Sequence, residues 1–128
     1  MTIAFWCVLI AGLMPFVAVG IAKYDRSYNN RAPRDWLAKQ EGMKKRAYAA
    51  HLNCFEAFPL FASGVIIAHL AAVPAATVST LAALFIAVRI IYLYCYLSDR
   101  ASLRSLIWLA GLGLCVALFI VSAAAKAG

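Results

Sequence analysis

Residues 51–61 read HLNCFEAFPLF, an apolar run that nevertheless carries a histidine, an asparagine and a glutamate. A second run, RIIYLYCY at residues 89–96, adds an arginine and three tyrosines. Both runs lie inside much longer apolar stretches of the chain. Polar and ionisable side chains are costly at membrane depth and normally face a bundle interior or a polar cavity. The sequence therefore predicts membrane helices that enclose a polar site.

The apolar stretches number four, and each is long enough to cross a bilayer. They cover about residues 2–22, 47–72, 75–98 and 103–125, and a helix needs roughly 20 residues to span the hydrocarbon core. The 128-residue chain is 66% hydrophobic, whereas a soluble domain is about half apolar. We therefore predict an all-α fold, an integral membrane four-helix bundle that forms a single domain over residues 1–128.

Prolines and the polar first loop refine the helix boundaries. We expect the second helix to begin ahead of the membrane near Met43 and to end near Leu70. Pro15 and Pro59 fall inside predicted helices, which membrane helices tolerate. Pro33 predicts the start of a short interfacial helix within the first loop, because proline is favoured at the first helical position.

Positive charge is concentrated at one end of the predicted bundle. The net charge is +7, and eight of the twelve Lys and Arg residues fall between the first two helices. They are Lys23, Arg26, Arg31, Arg34, Lys39, Lys44, Lys45 and Arg46. By the positive-inside rule the first and third loops are cytoplasmic. Contact with lipid headgroups also accounts for the cluster, and we do not expect nucleic-acid binding.

The four cysteines are expected to be small buried residues rather than ligands. They are Cys7, Cys54, Cys95 and Cys115, and all of them fall in apolar stretches. No two of them form a C-x-x-C pair, so the pattern indicates neither a disulfide framework nor a metal site.

Polar residues form one stripe on each of two helices. On the second helix these residues are Arg46, Asn53 and Glu56, and on the third they are Arg89, Tyr92 and Tyr96. Residues three, four or seven apart share a helix face, so each set points in one direction. Together they offer a carboxylate, an amide, guanidinium groups and phenols, which predicts a site for a charged ligand.

Several of these residues allow two interpretations. Glu56 and Arg89 could pair only with each other and lock two helices together, because a lone buried charge is costly, or they could also line a ligand site. Arg104 could stabilise a thiolate, since nearby positive charge favours the thiolate form. Alternatively, its charge could only help to set the membrane orientation and pair with lipid headgroups, and the same alternative applies to Arg100. His51 could contact a ligand or a neighbouring subunit, or be an ordinary interfacial histidine.

The two runs in this order resemble a known family. The pattern N-x-x-E followed closely by Pro, within residues 51–61, resembles the second-helix signature of leukotriene synthases and microsomal glutathione transferases. Residues 89–96 and the arginines after them resemble the third helix of the same proteins. This is the MAPEG family, the membrane-associated proteins in eicosanoid and glutathione metabolism. The resemblance covers essentially the whole chain, which looks like the small bacterial members.

The resemblance implies an assembly and a function. It implies a homotrimer in a bacterial inner membrane that binds glutathione as a co-substrate between subunits, near the cytoplasmic side. It also implies a transferase, or a peroxidase, that acts on a lipophilic small molecule arriving from the bilayer.

The resemblance further implies roles for individual residues. Glu56 would pair with the ammonium group of glutathione, and Asn53 with its peptide backbone. The carboxylates would be held by Arg46, by Arg89, or by Lys23 or Arg26 of a neighbouring subunit. Arg104 matches the arginine that activates the thiolate, with Arg100 as its competitor. The remaining predicted contacts are His51, Tyr92 and Tyr96.

One position departs from the family pattern. Eicosanoid enzymes carry an arginine two residues before His51, where this chain has Ala49. One carboxylate contact is therefore missing, although Lys45 or Arg46 could replace it from one turn earlier. A non-catalytic membrane binding or scaffold protein is the alternative function. A small exporter is a third, but such exporters place an essential carboxylate in their first helix, and here that helix has none.

Overall fold

The chain folds into four long helices and one short one. The computed structural model describes residues 1–127, with side chains through residue 125. The helices are α1 (Ile3–Lys23), α2 (Pro33–Ala38), α3 (Gly42–Leu70), α4 (Ala75–Leu97) and α5 (Ala101–Ala127). Gly128, the last residue of the predicted domain, lies outside the described residues.

The predicted all-α membrane architecture is confirmed. Within the described residues, α1, α3, α4 and α5 are each long and apolar enough to cross a bilayer. The start of α3 at Gly42 and its end at Leu70 agree with the expected boundaries, and α2 begins at Pro33 as predicted. Pro15 and Pro59 lie inside continuous helices. The protein is therefore an integral membrane protein.

Small residues allow the long helices to pack closely. Both α3 and α4 contact each of the other three long helices, and the buried core is rich in alanine. At Gly64 an added Cβ atom would lie only 3.2 Å from the Cβ of Leu118, so α3 and α5 approach nearly backbone to backbone. Such small-residue contacts replace the hydrophobic driving force that is absent between helices in lipid.

Two tight turns determine the directions of the last three helices. After α3, Ala72 has φ 59°, and the N–H of Val73 donates to the carbonyl of Ala68. After α4, Asp99 has the same φ, and the N–H of Arg100 donates to the carbonyl of Cys95. Both are Schellman-type ends, which satisfy exposed carbonyls and reverse the chain. Consequently α4 runs opposite to both α3 and α5, and α3 and α5 run in the same direction.

The first loop is fastened to the end of the bundle. Lys44 forms an ion pair with Asp25 and lies 5.9 Å from the centroid of the Trp36 ring. Leu37 of α2 is buried against Ala22 and Ala47. The short helix α2 therefore lies across the ends of α1 and α3.

Candidate functional site

Arg89 is a buried charge at the centre of the candidate site. Its side chain is 4% exposed on the face of α4 that packs against α3. Its Nη2 atom donates to Asn53 Oδ1 at 3.0 Å and to Cys54 Sγ at 3.5 Å. The guanidinium carbon also lies 4.2 Å from the centroid of the Tyr92 ring. Arg89 is therefore held by an amide, a thiol and a π face.

Asn53 stands between the two charged groups of the site. Its Oδ1 accepts from Arg89, while its Nδ2 donates to Glu56 Oε2 at 3.2 Å. Among the described residues, no ion pair joins Glu56 to Arg89. The interpretation in which these two charges pair directly is therefore not what the structure shows. The contact between α3 and α4 is made through the amide, and the exposed Glu56 carboxylate keeps oxygen lone pairs free.

These three residues line one end of a cleft between three helices. The cleft has a volume of about 170 Å³, and its floor is formed by Phe85 and Arg89 of α4. From α3 it is lined by Asn53, Glu56, Ala57 and Leu60, and from α5 by Trp108, Gly111, Leu112 and Cys115. Since α3 and α5 run in the same direction, the polar residues gather at one end and the apolar ones at the other.

An aromatic column connects Arg89 to Arg104. The rings of Tyr92 and Tyr96 meet edge to face, with centroids 5.6 Å apart and planes at 81°. The guanidinium carbon of Arg104 lies 4.4 Å from the centroid of the Tyr96 ring. Arg100, by contrast, is exposed on the turn before α5. Of the two arginines considered as thiolate activators, only Arg104 is held against the column.

Arg46 is used to hold the end of α4. Its Nη2 donates to the carbonyl of Leu97 at 3.2 Å, which places a positive charge at the negative end of the helix dipole. Its Nε is buried and has no hydrogen-bond partner among the described residues. The predicted role of Arg46 as a carboxylate ligand stays a prediction.

His51 lies apart from the other predicted site residues. It is two positions from Asn53 and therefore about 200° around the helix, facing α1. Its Nδ1 is 2.7 Å from the carbonyl of Pro15, and because a carbonyl only accepts, this nitrogen is the donor. The Nε2 atom of the neutral ring is then left as an acceptor.

A second groove runs along this side of the molecule. His51 lines it together with Lys23, Arg34, Tyr48 and Phe55. Arg26 does not line this groove, although Lys23 and Arg26 were equal candidates for a contact across a subunit interface. The structure thus brings Lys23 and His51 together on the face opposite to Asn53 and Glu56.

Sequence reasoning did not identify the α5 wall of the cleft. The wall residues follow the spacing i, i+3, i+4, i+7, beginning at Trp108, which is the spacing of a single helix face. That spacing was the available signal, but in a helix apolar all round it does not tell which face turns inward. Within the described part of the chain, no group of three or more His, Cys, Asp or Glu residues could hold a metal ion.

We predict that Asn53→Ala destabilises the protein. The change leaves the buried Arg89 guanidinium without its oxygen acceptor, and a lost buried hydrogen bond to a charged group costs about 1.5–3 kcal/mol. The midpoint of thermal unfolding in detergent should fall clearly below that of the control Asn30→Ala, which alters an exposed loop asparagine. Equal midpoints for the two variants would show that Asn53 does not support Arg89.

Comparison with known proteins bears on the family of the chain. No curated protein and no solved structure matches the chain. The family model of the MAPEG family matches residues 3–124, a range that contains all four long helices up to the last turn of α5 and every residue of the cleft. The chain belongs to the MAPEG family.

Proposed function

We propose that this MAPEG protein is a glutathione-dependent membrane transferase that conjugates glutathione to lipophilic electrophiles. The observation that carries the proposal is the separation of Glu56 from Arg89 by Asn53 in one cleft. A pair of opposite charges that are not bonded to each other offers one site for a cation and another for an anion. Reduction of a lipophilic hydroperoxide, a peroxidase reaction, would use the same thiolate.

Glutathione fits the charges of this cleft. It carries an ammonium group, two carboxylates, peptide groups and a thiol. The Glu56 carboxylate suits the ammonium, and the Arg89 guanidinium suits a carboxylate, in charge-assisted hydrogen bonds. Tyr92 and Tyr96 do not line the cleft itself, but among the described residues their hydroxyls make no hydrogen bond within the chain, so they would donate to a ligand that extends from the cleft toward Arg104.

Arg104 is the residue that we assign to the thiolate. No carboxylate of the described residues lies within 4.0 Å of it. Because a π face holds the guanidinium without using its N–H groups, those groups are free to bind an anion. A guanidinium beside a thiol favours the thiolate, which is the nucleophile. The thiol proton would leave to solvent, and the sulfur would then attack the electrophile.

We further propose that the protein works as a homotrimer whose site is completed by the neighbouring subunit. The cleft with Glu56 and the groove with Lys23 and His51 lie on opposite faces of α3. Rotational symmetry of order three brings unlike faces together, so the Lys23 groove of one copy would cover the cleft of the next. Lys23 would then supply a further cation for a glutathione carboxylate. Native mass spectrometry showing a single 13.9 kDa chain as the only species would contradict this assembly.

The proposed location is a bacterial inner membrane with the first and third loops in the cytoplasm, where glutathione is available. The lysines and arginines between residues 23 and 46 support this orientation. Labelling by a membrane-impermeant thiol reagent would test it, because Ala72→Cys should react from outside the cell and Ser27→Cys should not.

A non-catalytic binding protein is the second candidate, and Ala49 is the observation that favours it. Ala49 shares the stripe of Asn53 and Glu56 but has no group that can hold a carboxylate. Such a protein would bind glutathione or a related thiol without turning it over.

We predict that Glu56→Gln weakens glutathione binding. The wild-type protein should show a saturable rise in thermal stability, about 2.7 kcal/mol at a hundredfold excess over the dissociation constant. Loss of the ion pair with the ammonium should cost about 1.4 kcal/mol, a tenfold weaker affinity. S-hexylglutathione should behave in the same way.

The matched control is Glu41→Gln, which removes an exposed carboxylate that pairs with Lys45 on the surface. It should bind glutathione like the wild type. Unchanged binding in the Glu56 variant would reduce Glu56 to a structural role.

We predict that Arg104→Ala lowers kcat far more than it raises KM. Removing one group that stabilises a developing or existing anion typically costs about 100-fold or more in rate. Arg100→Ala is the control and should leave kcat nearly unchanged. If Arg100→Ala gives the larger loss, the two roles are exchanged. Binding of glutathione without turnover of any electrophile would instead favour the non-catalytic protein.

A further inference from the structure

The guanidinium of Arg89 uses a single nitrogen for both of its hydrogen bonds to α3. Its Nη2 donates to Asn53 Oδ1 at 3.0 Å and to Cys54 Sγ at 3.5 Å. This nitrogen carries two protons, so the two acceptors leave it none for a ligand. Among the described residues, the Nη1 and Nε atoms of Arg89 make no hydrogen bond. The N–H groups that remain for a ligand are therefore those of Nη1 and Nε.

The loss of Nη2 matters for a carboxylate because of the shape of the guanidinium group. Two carboxylate oxygens can be held in parallel either by Nη1 together with Nη2 or by Nε together with Nη2. Such bidentate contacts are the strong ones between arginine and a carboxylate, and both of them require Nη2. While Nη2 is occupied, Arg89 can offer a carboxylate only single hydrogen bonds.

Of the two partners of Nη2, Cys54 is the one that a ligand can replace. Sulfur is a weak hydrogen-bond acceptor, and its contact with Nη2 is the longer of the two. The Asn53 amide is also fastened to Glu56 through its Nδ2. A carboxylate oxygen carries negative charge and forms a short, charge-assisted hydrogen bond with a guanidinium. Exchange of the sulfur for a carboxylate oxygen is therefore favourable.

Cys54 lies behind the guanidinium as seen from the cleft. Arg89 lines both the cleft and a neighbouring cavity of about 10 Å³, whereas Cys54 lines only this small cavity. A cavity of that size is at the lower limit for a single water molecule, and the Cys54 side chain is 4% exposed. A ligand therefore reaches Arg89 from the cleft side and does not touch the thiol.

We propose that Cys54 is a positioning residue that competes with glutathione for Arg89. In the free protein its sulfur holds Nη2 on the side away from the cleft. When glutathione binds, Nη2 exchanges the sulfur for a glutathione carboxylate, which then receives two parallel hydrogen bonds. Cys54 thus supports the buried charge in the free protein and lowers the affinity for the co-substrate. The inference rests on the proposed function, because it concerns how the same site takes up glutathione.

The first experiment measures the affinity for glutathione by calorimetric titration in detergent. Cys54→Val removes the competing acceptor and should bind glutathione about threefold more tightly than the wild type, within the range of one weak hydrogen bond, with a lower KM and an unchanged kcat. Cys54→Ser keeps an acceptor and should bind no more tightly than the wild type. The control Cys7→Val changes a cysteine of the apolar core and should keep the wild-type affinity.

The sign of the effect separates competition from simple support of the fold. If Cys54 only kept Arg89 in place, Cys54→Val would loosen the guanidinium and weaken binding. Weaker or unchanged binding by Cys54→Val, or tighter binding by Cys54→Ser, would overturn the proposal.

The second experiment observes the thiol itself in the wild-type protein. Infrared difference spectra are recorded with and without S-hexylglutathione, a ligand that has no S–H group of its own. We expect an S–H stretching band to shift on binding, because the Cys54 sulfur loses the N–H group that points at it. The shift should be absent in Cys54→Ala and retained in Cys7→Ala. An unshifted band at saturation, or a shift that persists in Cys54→Ala, would contradict the exchange.

The two proposals fail in different ways. If neither glutathione nor S-hexylglutathione binds to the wild type or to Cys54→Val, the transferase proposal is wrong and this inference falls with it. If glutathione binds and is turned over, but Cys54→Val does not tighten binding and the S–H band does not shift, the transferase stands and the competition by Cys54 is wrong.

Discussion

The guanidinium of Arg89 carries a positive charge on a membrane-spanning helix, where water is scarce and the charge must be solvated by the protein itself. Its 4% exposure makes this requirement strict. The chain meets it with the Asn53 amide, the Cys54 sulfur and the Tyr92 ring. Because two of these partners come from α3 and one from α4, solvation of a single group fixes how the two helices face each other.

The same arrangement leaves two opposite charges in the cleft that are not paired with each other. If Glu56 formed a direct ion pair with Arg89, the carboxylate and the guanidinium would occupy each other, and few of their hydrogen-bonding groups would remain for a ligand. Asn53 instead donates to Glu56 and accepts from Arg89, so the helices are joined while both charges remain partly available. The neutral Asn53 amide therefore joins the two helices, while the charged groups of Glu56 and Arg89 line the cleft.

The column of Tyr92, Tyr96 and Arg104 extends this polar site toward the end of the bundle where the first loop lies. Aromatic faces hold both arginines in place without consuming their hydrogen-bond donors. In a protein whose core consists mainly of small and aliphatic residues and phenylalanine, these contacts hold cations near the end of the bundle. The residues of this column lie within the range 3–124 that the family model matches.

The sequence by itself determined the four spanning helices, the short helix at Pro33 and the two polar stripes, because bilayer thickness sets helix length and a period of 3.6 residues sets which positions share a face. It could not decide how the stripes face one another. Asn53 and Glu56 occupy the same stripe, so spacing alone leaves both as partners for Arg89. Only the tertiary structure selected the amide, gave Arg46 the carbonyl of Leu97, turned His51 toward α1 and added Trp108 to the cleft. These outcomes depend on the rotation and height of each helix relative to its neighbours, which packing between distant residues fixes and local sequence does not encode.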